Sequence, residues 1–369
     1  MAAAEHFFAA TYAEARAGFL AACDSAGLAV HSHAHPLLGA EGEALAMDVA
    51  RFGPADAPAL LLVTSGCHGP EGFCGSGVQR ALLADPAFHA AARERGVALL
   101  YVHALNPYGF SWLRRTTQEN VDLNRNWQDF SRPLPRNTAY DELAHLIVPA
   151  TWPPAPDNEA ALAAYGQRHG AMALQAALSG GQYHHPQGLF FGGHAPTWSR
   201  VTLTHVLQEH GRRCRRLAWI DLHTGLGPSG HGERIYAGPD DDATVARARA
   251  WWGREVTSIY DGSSSSAPLT GLMWEAARQE CPQAETTGIA LEYGTLPVND
   301  VMHALRGDQW LYNHPEAPPA LRASIKRQMR DAFYVDTPQW KRRIVEQGLH
   351  ASHQALAGLT ASNPQEAPP

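Results

Sequence analysis

Four short stretches of this chain are apolar without any alternation: Leu60-Leu61-Leu62-Val63, Val97 to Val102, Leu217 to Ile220 and Gly288 to Leu291. A strand with one wet face alternates apolar and polar residues, whereas a strand covered on both faces reads as a continuous apolar run. Helix-like spacings lie between these runs, over 71–84, 158–178, 197–211, 241–258 and 298–312. Strands alternating with helices predict an α/β chain: one domain over residues 1–350, with a central mixed, mostly parallel twisted sheet flanked by helices on both faces. Each apolar run is followed or ended by a polar cluster: His68 to Glu71, Arg115 to Asn126, Asp221 to His223, and Glu292. Ligands of open α/β sheets bind beyond the carboxyl ends of the strands, so clusters this far apart in sequence can meet in one crevice.

The remainder of the chain is read around that sheet. Phe7, Phe8, Tyr12, Phe19 and Leu20 place an amphipathic helix over 3–23 that packs on the main body, and Leu45, Met47 and Val49 alternate as in a half-buried strand. The Pro-rich and polar segments 128–156 and 180–196 read as long surface loops at the mouth of the crevice, with 261–268 a further loop and 359–369 a flexible tail. A formal charge of −7 supplies no basic patch, which argues against nucleic acid and against an anionic membrane surface. Five cysteines without a C-x-x-C pair argue against a disulfide framework or a cysteine-only zinc site and point to the cytoplasm. The N-terminal stretch is interrupted by Glu5, Glu14 and Arg16, unlike a secretory leader, and no run reaches the roughly 20 apolar residues that cross a bilayer.

The polar clusters carry the chemistry. His68 and Glu71 are three positions apart, close enough to reach one ion from a strand-to-helix turn, and His223 would complete a set of two imidazoles and a carboxylate. Three such ligands with an open fourth corner are the donor set of a catalytic zinc. The chain has 20 histidines, so most must be structural or surface groups. His31, His33 and His35 alternate as on an exposed edge, His184-His185 lies in a surface loop, and Cys67 reads as a small buried residue. No G-x-S-x-G elbow is present, so the nucleophile of an α/β-hydrolase has no signature here.

Taken together, Thr64 to Gly72 (T-S-G-C-H-G-P-E-G), Val121 to Trp127 (V-D-L-N-R-N-W), Asp221 to Gly225 (D-L-H-T-G) and Leu291 to Gly294 (L-E-Y-G) resemble, in order, the four signatures of the zinc carboxypeptidase superfamily. Gly181-Gln182-Tyr183 and Phe191-Gly192-Gly193 make the chain most similar to a bacterial branch known as a domain of unknown function with carboxypeptidase-like motifs. The resemblance implies one Zn2+ per chain on His68, Glu71 and His223, with Glu292 as general base and acid. It implies that Arg115, nine positions before Asn124, stabilises the oxyanion, with Arg114 the competing choice. Asn124 and Arg125 would grip a terminal carboxylate, and Asp122 would stand behind His68. Asp221 would either back a zinc histidine or cap a turn, and Tyr260 is the positional candidate for the mobile tyrosine of classical members. The implied activity is a metallopeptidase cleaving an amide bond beside a free carboxylate. An N-acyl amino acid deacylase of the desuccinylase and aspartoacylase kind uses the same groups, and a zinc-binding module without activity is the third possibility. The implied partner is accordingly a peptide or an N-acyl amino acid.

Overall fold

In a computed structural model that describes residues 4–236 and 238–361, eight strands form one sheet. They are β1 (Val30–Leu38), β2 (Ala44–Phe52), β3 (Ala59–Thr64), β4 (Val97–His103), β5 (Arg216–Ser229), β6 (Gly232–Tyr236), β7 (Thr257–Ser258) and β8 (Glu285–Gly294), in the order β1-β2-β4-β3-β5-β8-β6-β7. The centre, β4-β3-β5-β8, is parallel throughout, and β1, β2 and β6 join antiparallel, so the sheet is mixed and mostly parallel. The helices are α1 (Tyr12–Ser25), α2 (Gly72–Leu83), α3 (Pro86–Glu94), α4 (Pro107–Ser111), α5 (Thr138–Ile147), α6 (Pro156–His169), α7 (Ala171–Ser179), α8 (Trp198–His210), α9 (Asp242–Trp252), α10 (Glu275–Glu280), α11 (Val298–Asn313), α12 (Pro319–Phe333) and α13 (Pro338–Thr360).

The unbroken apolar runs have the expected cause. Successive side chains of a strand point to opposite faces. Leu61, Val63, Leu99 and Ile220 accordingly enter one core, under α1, α2, α3 and α13, while Leu60, Leu62, Leu100 and Trp219 enter another, under α8 and α10. β2, read as half-buried from its alternation, is covered on both faces from Leu45 to Ala50, because α1 reaches it through Tyr12 and Arg16, bonded to Ala46 and Asp48, and α8 packs on it as well.

Several local readings are corrected. The helix expected over 3–23 divides into a short 3-10 turn, Ala4–Phe7, and α1, which begins where the Thr11 hydroxyl accepts the Glu14 N–H. The helix expected over 158–178 breaks at Gly170 into α6 and α7, and the one over 241–258 stops at Trp252 before β7. The loop expected over 128–156 contains α5, capped by Asn137, whose apolar face buries Tyr140, Leu143 and Ile147. Of the expected tail, Leu359 and Thr360 complete α13, and 362–369 lie outside the described residues. No helix among the described residues is long and apolar enough to cross a membrane.

One difference in strand length prepares the site. β3 stops at Thr64, opposite Asp221, while β5 and β8 run on side by side through the pair His223 and Glu292 to Thr224 and Tyr293. His223 and Glu292 therefore sit inside strands, not beyond their ends as the sequence suggested. The notch above β3 is filled by the 3-10 turn Gly69–Glu71.

Candidate metal centre

The turn after β3 is fixed by its neighbours. Gly69 donates its N–H to the Arg114 carbonyl at 3.1 Å, and a Cβ at this position would come within 2.0 Å of the Gly109 carbonyl carbon. Only a glycine lets the two segments approach so closely. The turn delivers His68 and Glu71 together, and β5 brings His223 to the same carboxylate. His68 Nδ1 lies 2.9 Å from Glu71 Oε1, and His223 Nδ1 lies 2.9 Å from Glu71 Oε2. All three side chains are buried, and their ligand atoms fall within 4.8 Å of one another.

Each imidazole is oriented from behind. His68 Nε2 is 3.2 Å from Asp122 Oδ1, and His223 Nε2 is 2.5 Å from Asp221 Oδ2. The alternative open for Asp221 thus falls to the histidine, and its other oxygen accepts the Thr64 hydroxyl. A carboxylate on the outer ring nitrogen fixes the tautomer and turns the inner nitrogen, as a lone-pair donor, toward an ion. This is the observation that makes the residues fit a zinc ion: two inward Nδ1 atoms and one carboxylate, each held by further bonds. Cys67, Asp221 and His223 form a second group close enough to hold a metal. It is the poorer one, because both Asp221 oxygens are engaged and burial pushes the Cys67 thiol far above its ordinary value, away from the thiolate that binds metals.

Asp122 organises the opposite wall. It caps the 3-10 turn Leu123–Arg125, with Oδ1 accepting the Asn124 N–H at 2.9 Å as well as facing His68, and Oδ2 accepting Arg115 Nε–H at 2.9 Å. Arg115 also points Nη1 at Glu71 from 3.4 Å, whereas Arg114 turns away to Asn120 and Asp308 with its guanidinium over the Tyr312 ring. Adjacent arginines do point apart, and Arg115 is the one at the centre. Arg125 is buried, and its Nε, Nη1 and Nη2 donate to the carbonyls of Ser179 and Asn124. A guanidinium has five N–H donors, so one remains on each terminal nitrogen. Asn124 uses its Oδ1 to accept the Met273 N–H.

Burial and charge set opposite proton affinities on the two glutamates. Burial would raise Glu71, but His68 and His223 hold it below the usual carboxylate range. Burial raises Glu292, the nearby charge of Glu71 adds to it, and the group is pushed up to about 8 while Leu226 N–H donates to its Oε1. Burial would lower His223, but Asp221 lifts it well above its ordinary value. Asp122 is held well below the carboxylate range by Arg115, Arg125 and His68 against the opposing effect of burial.

His68, Glu71, Arg115, Asn124, Arg125, His223 and Glu292 all line one cavity of about 120 Å3. Asp122 stands behind it. Tyr260 does not line it: its hydroxyl donates to the Gly238 carbonyl and its neighbour Ile259 faces the cavity instead. His31 and His33 lie on the edge strand β1 with rings 4.3 Å apart, and His185 pairs with Asp141. Neither pair belongs to a metal-capable group among the described residues.

A family profile described as a protein of unknown function, DUF2817, matches residues 8–347. The chain belongs to the DUF2817 family. No curated protein matches the sequence. Solved structures similar to this DUF2817 protein include carboxypeptidase A from Helicoverpa armigera, at 11% identity over 88% of this chain and 74% of that one with a TM-score of 0.42. Thrombin activatable fibrinolysis inhibitor is similar at 12% identity over 87% and 74%, with a TM-score of 0.46. A metallo-carboxypeptidase from Burkholderia cenocepacia is similar at 13% identity over 87% and 67%, with a TM-score of 0.40.

Sequence reasoning missed Phe190. It lies in the 180–196 loop with a left-handed backbone, φ 54°, and its ring takes Arg115 at 5.0 Å and Arg125 at 5.5 Å. A non-glycine residue there costs about 1–2 kcal/mol, a strain that clusters at working sites. No motif marks it, because Arg115 and Arg125 meet one ring only in the fold.

Proposed function

We propose that this DUF2817 protein is a zinc-dependent amidohydrolase of the carboxypeptidase type, cleaving an amide bond next to a free carboxylate. The observation that carries this reading is the convergence on one cavity of two carboxylate-backed Nδ1 donors, the Glu71 carboxylate, a separate buried glutamate and two guanidiniums. A zinc ion on His68, Glu71 and His223 would supply Lewis acidity, polarising the amide carbonyl and making water a nucleophile near neutral pH.

The remaining work falls to the chain. Glu292 takes the proton of the attacking water and delivers it to the leaving nitrogen; such a positioned carboxylate contributes about 10²- to 10⁴-fold in rate. Its high proton affinity suits a group that must hold the proton between those two events. Arg115, braced by Asp122 and Glu71, faces the charge that develops on the carbonyl oxygen; a fixed donor there is worth on the order of 3 kcal/mol. The two free N–H groups of Arg125, with Asn124 beside it, meet the substrate carboxylate, a planar match that lysine cannot reproduce.

The test is metal content beside turnover. The purified protein is expected to bind one zinc per chain and to hydrolyse members of a mixed panel of short peptides and N-acyl amino acids, with activity lost to a chelator and restored by zinc. Glu292→Gln should retain stoichiometric zinc while losing at least about 10²-fold in kcat. Zinc bound at full stoichiometry without any amide hydrolysis across the panel would leave a zinc-binding module and end the enzymatic reading.

A further inference from the structure

The cavity lies where two separate apolar cores meet. Ile235, Ile259, Leu269, Leu272 and Trp274 form one wall and belong to the core under α8 and α10. Phe190, Val301, Met302, Leu305 and Phe333 form the other and belong to a core built on α11 and α12. We propose that the site selects N-acyl amino acids in which both the acyl group and the amino acid side chain are aliphatic or aromatic. This rests on the amidohydrolase reading and names the substrate class within it.

The first wall and the carboxylate grip are one unit. Asn124 Oδ1 accepts the Met273 N–H at 3.0 Å, and Gly271 is pressed so close that a Cβ there would lie 2.3 Å from the Arg125 carbonyl oxygen. An amino acid held by its carboxylate at Arg125 therefore lays its side chain against Ile235, Ile259 and Leu272. The acyl half then extends to the second wall.

Charge decides which groups are accepted. The carboxylates lining the cavity are Glu71 and Glu292, one given to the metal and one to proton transfer, and the uncharged hydroxyl and amide lining besides Asn124 is Gln175, Ser179, Thr224 and Ser266. A lysine or arginine side chain would find no anion of its own. Arg115, held by Asp122 and Glu71, serves the oxyanion and Arg125 the terminal carboxylate, so a second carboxylate, as in a succinyl or aspartyl group, would be buried without a cation of its own. Burying an unpaired charge is costly enough to exclude such groups from the bound state.

The experiment has two arms. Zinc-loaded wild-type protein is given N-benzoyl-leucine, N-benzoyl-phenylalanine, N-benzoyl-lysine, N-benzoyl-glutamate and N-succinyl-leucine. The first two are expected to exceed the others by at least about 100-fold in kcat/KM, the upper range of discrimination by an apolar pocket. Zinc-loaded Glu292→Gln is titrated calorimetrically with the same compounds, and the same order of affinity is expected. Turnover absent while the affinity order holds would sustain the selectivity and overturn the hydrolase reading. Equal or better use of the lysine, glutamate or succinyl compound, or binding without this order, would overturn the selectivity whether or not amides are cleaved. Ile259→Asp, which places a carboxylate on the first wall, should raise kcat/KM for N-benzoyl-lysine about tenfold; no gain in a folded variant counts against that wall as the side-chain pocket.

Discussion

At the scale of single residues, the centre is a set of carboxylates that each do more than one thing. Asp122 caps a turn, orients His68 and anchors Arg115, while Asp221 joins β3 to His223. Removing the Asp221 charge while keeping its shape, as in Asp221→Asn, should weaken zinc about 10- to 100-fold, measured by competition with a chromophoric chelator. Unchanged affinity would reduce Asp221 to a strand-joining role. Proton release gives an independent check. In the metal-free protein His223 is held well above its ordinary value by Asp221 and Glu292 is pushed up to about 8 by burial. Both therefore carry protons at neutral pH, and a dication displaces or lowers them. Zinc binding near pH 7 should release at least about one proton per ion, seen as a dependence of the calorimetric heat on buffer ionisation enthalpy, and affinity should rise as pH rises through 7 to 8. Phe190→Ala should lower kcat/KM through both arginines it contacts, while Phe190→Tyr, which keeps the ring, should restore most of it.

At the scale of elements, the site exists because neighbouring strands end at different heights. Parallel pairing sets Thr64 opposite Asp221 and lets β5 and β8 overshoot by three further pairs, the middle one His223 with Glu292. The turn Gly69–Glu71 closes the gap, and Gly69 is the residue with least room to change, since a Cβ would strike the Gly109 backbone. Gly69→Ala should displace the turn, lose zinc, and cost about 1–3 kcal/mol as overpacking does; near-normal metal content in that variant would mean the turn has slack. Most of this scale was legible beforehand. The buried strands β3, β4, β5 and β8 declared themselves because apolar residues on both faces leave no alternation, and β1 declared itself as an edge by its row of histidines. α5, α12 and α13 did not. Their amphipathic faces bury Tyr140, Ile325 and Ala355; the stripe of α5 was hidden by the prolines on either side of it, which mark the stretch as a loop.

At the scale of the whole molecule, a metal on His68, Glu71 and His223 would be linked to folding. Zinc that binds the folded chain alone stabilises it by about 4 kcal/mol at a thousandfold excess over Kd, so the thermal midpoint should climb with zinc concentration and fall with a chelator. Acid should act at a second place. His103 is fully buried, stacked on Phe19, and burial drives it down from 6.5 to about 4 against the pull of Asp48. The unfolded chain takes this proton first, so the stability is present above about pH 6.5 and is lost as pH falls toward about 4, amounting to roughly 3 kcal/mol. Urea unfolding at pH 7 and pH 4.5 should show a smaller difference for His103→Gln than for the wild type. An equal difference would place the acid sensitivity elsewhere.

By itself the sequence determined the class of sheet, the His68, Glu71 and His223 donor set and the position of Glu292, because burial pattern and donor chemistry are local properties that a strand carries with it. It left open which of two adjacent arginines faces the His68, Glu71 and His223 cluster, whether Asp221 backs a histidine, and where Tyr260 points. The tertiary structure decided those, along with Phe190 against both guanidiniums and the two apolar walls. Each depends on which distant segment packs against the residue, and the pairing of β5 with β8, or of Met273 with Asn124, is written in no single stretch of the chain.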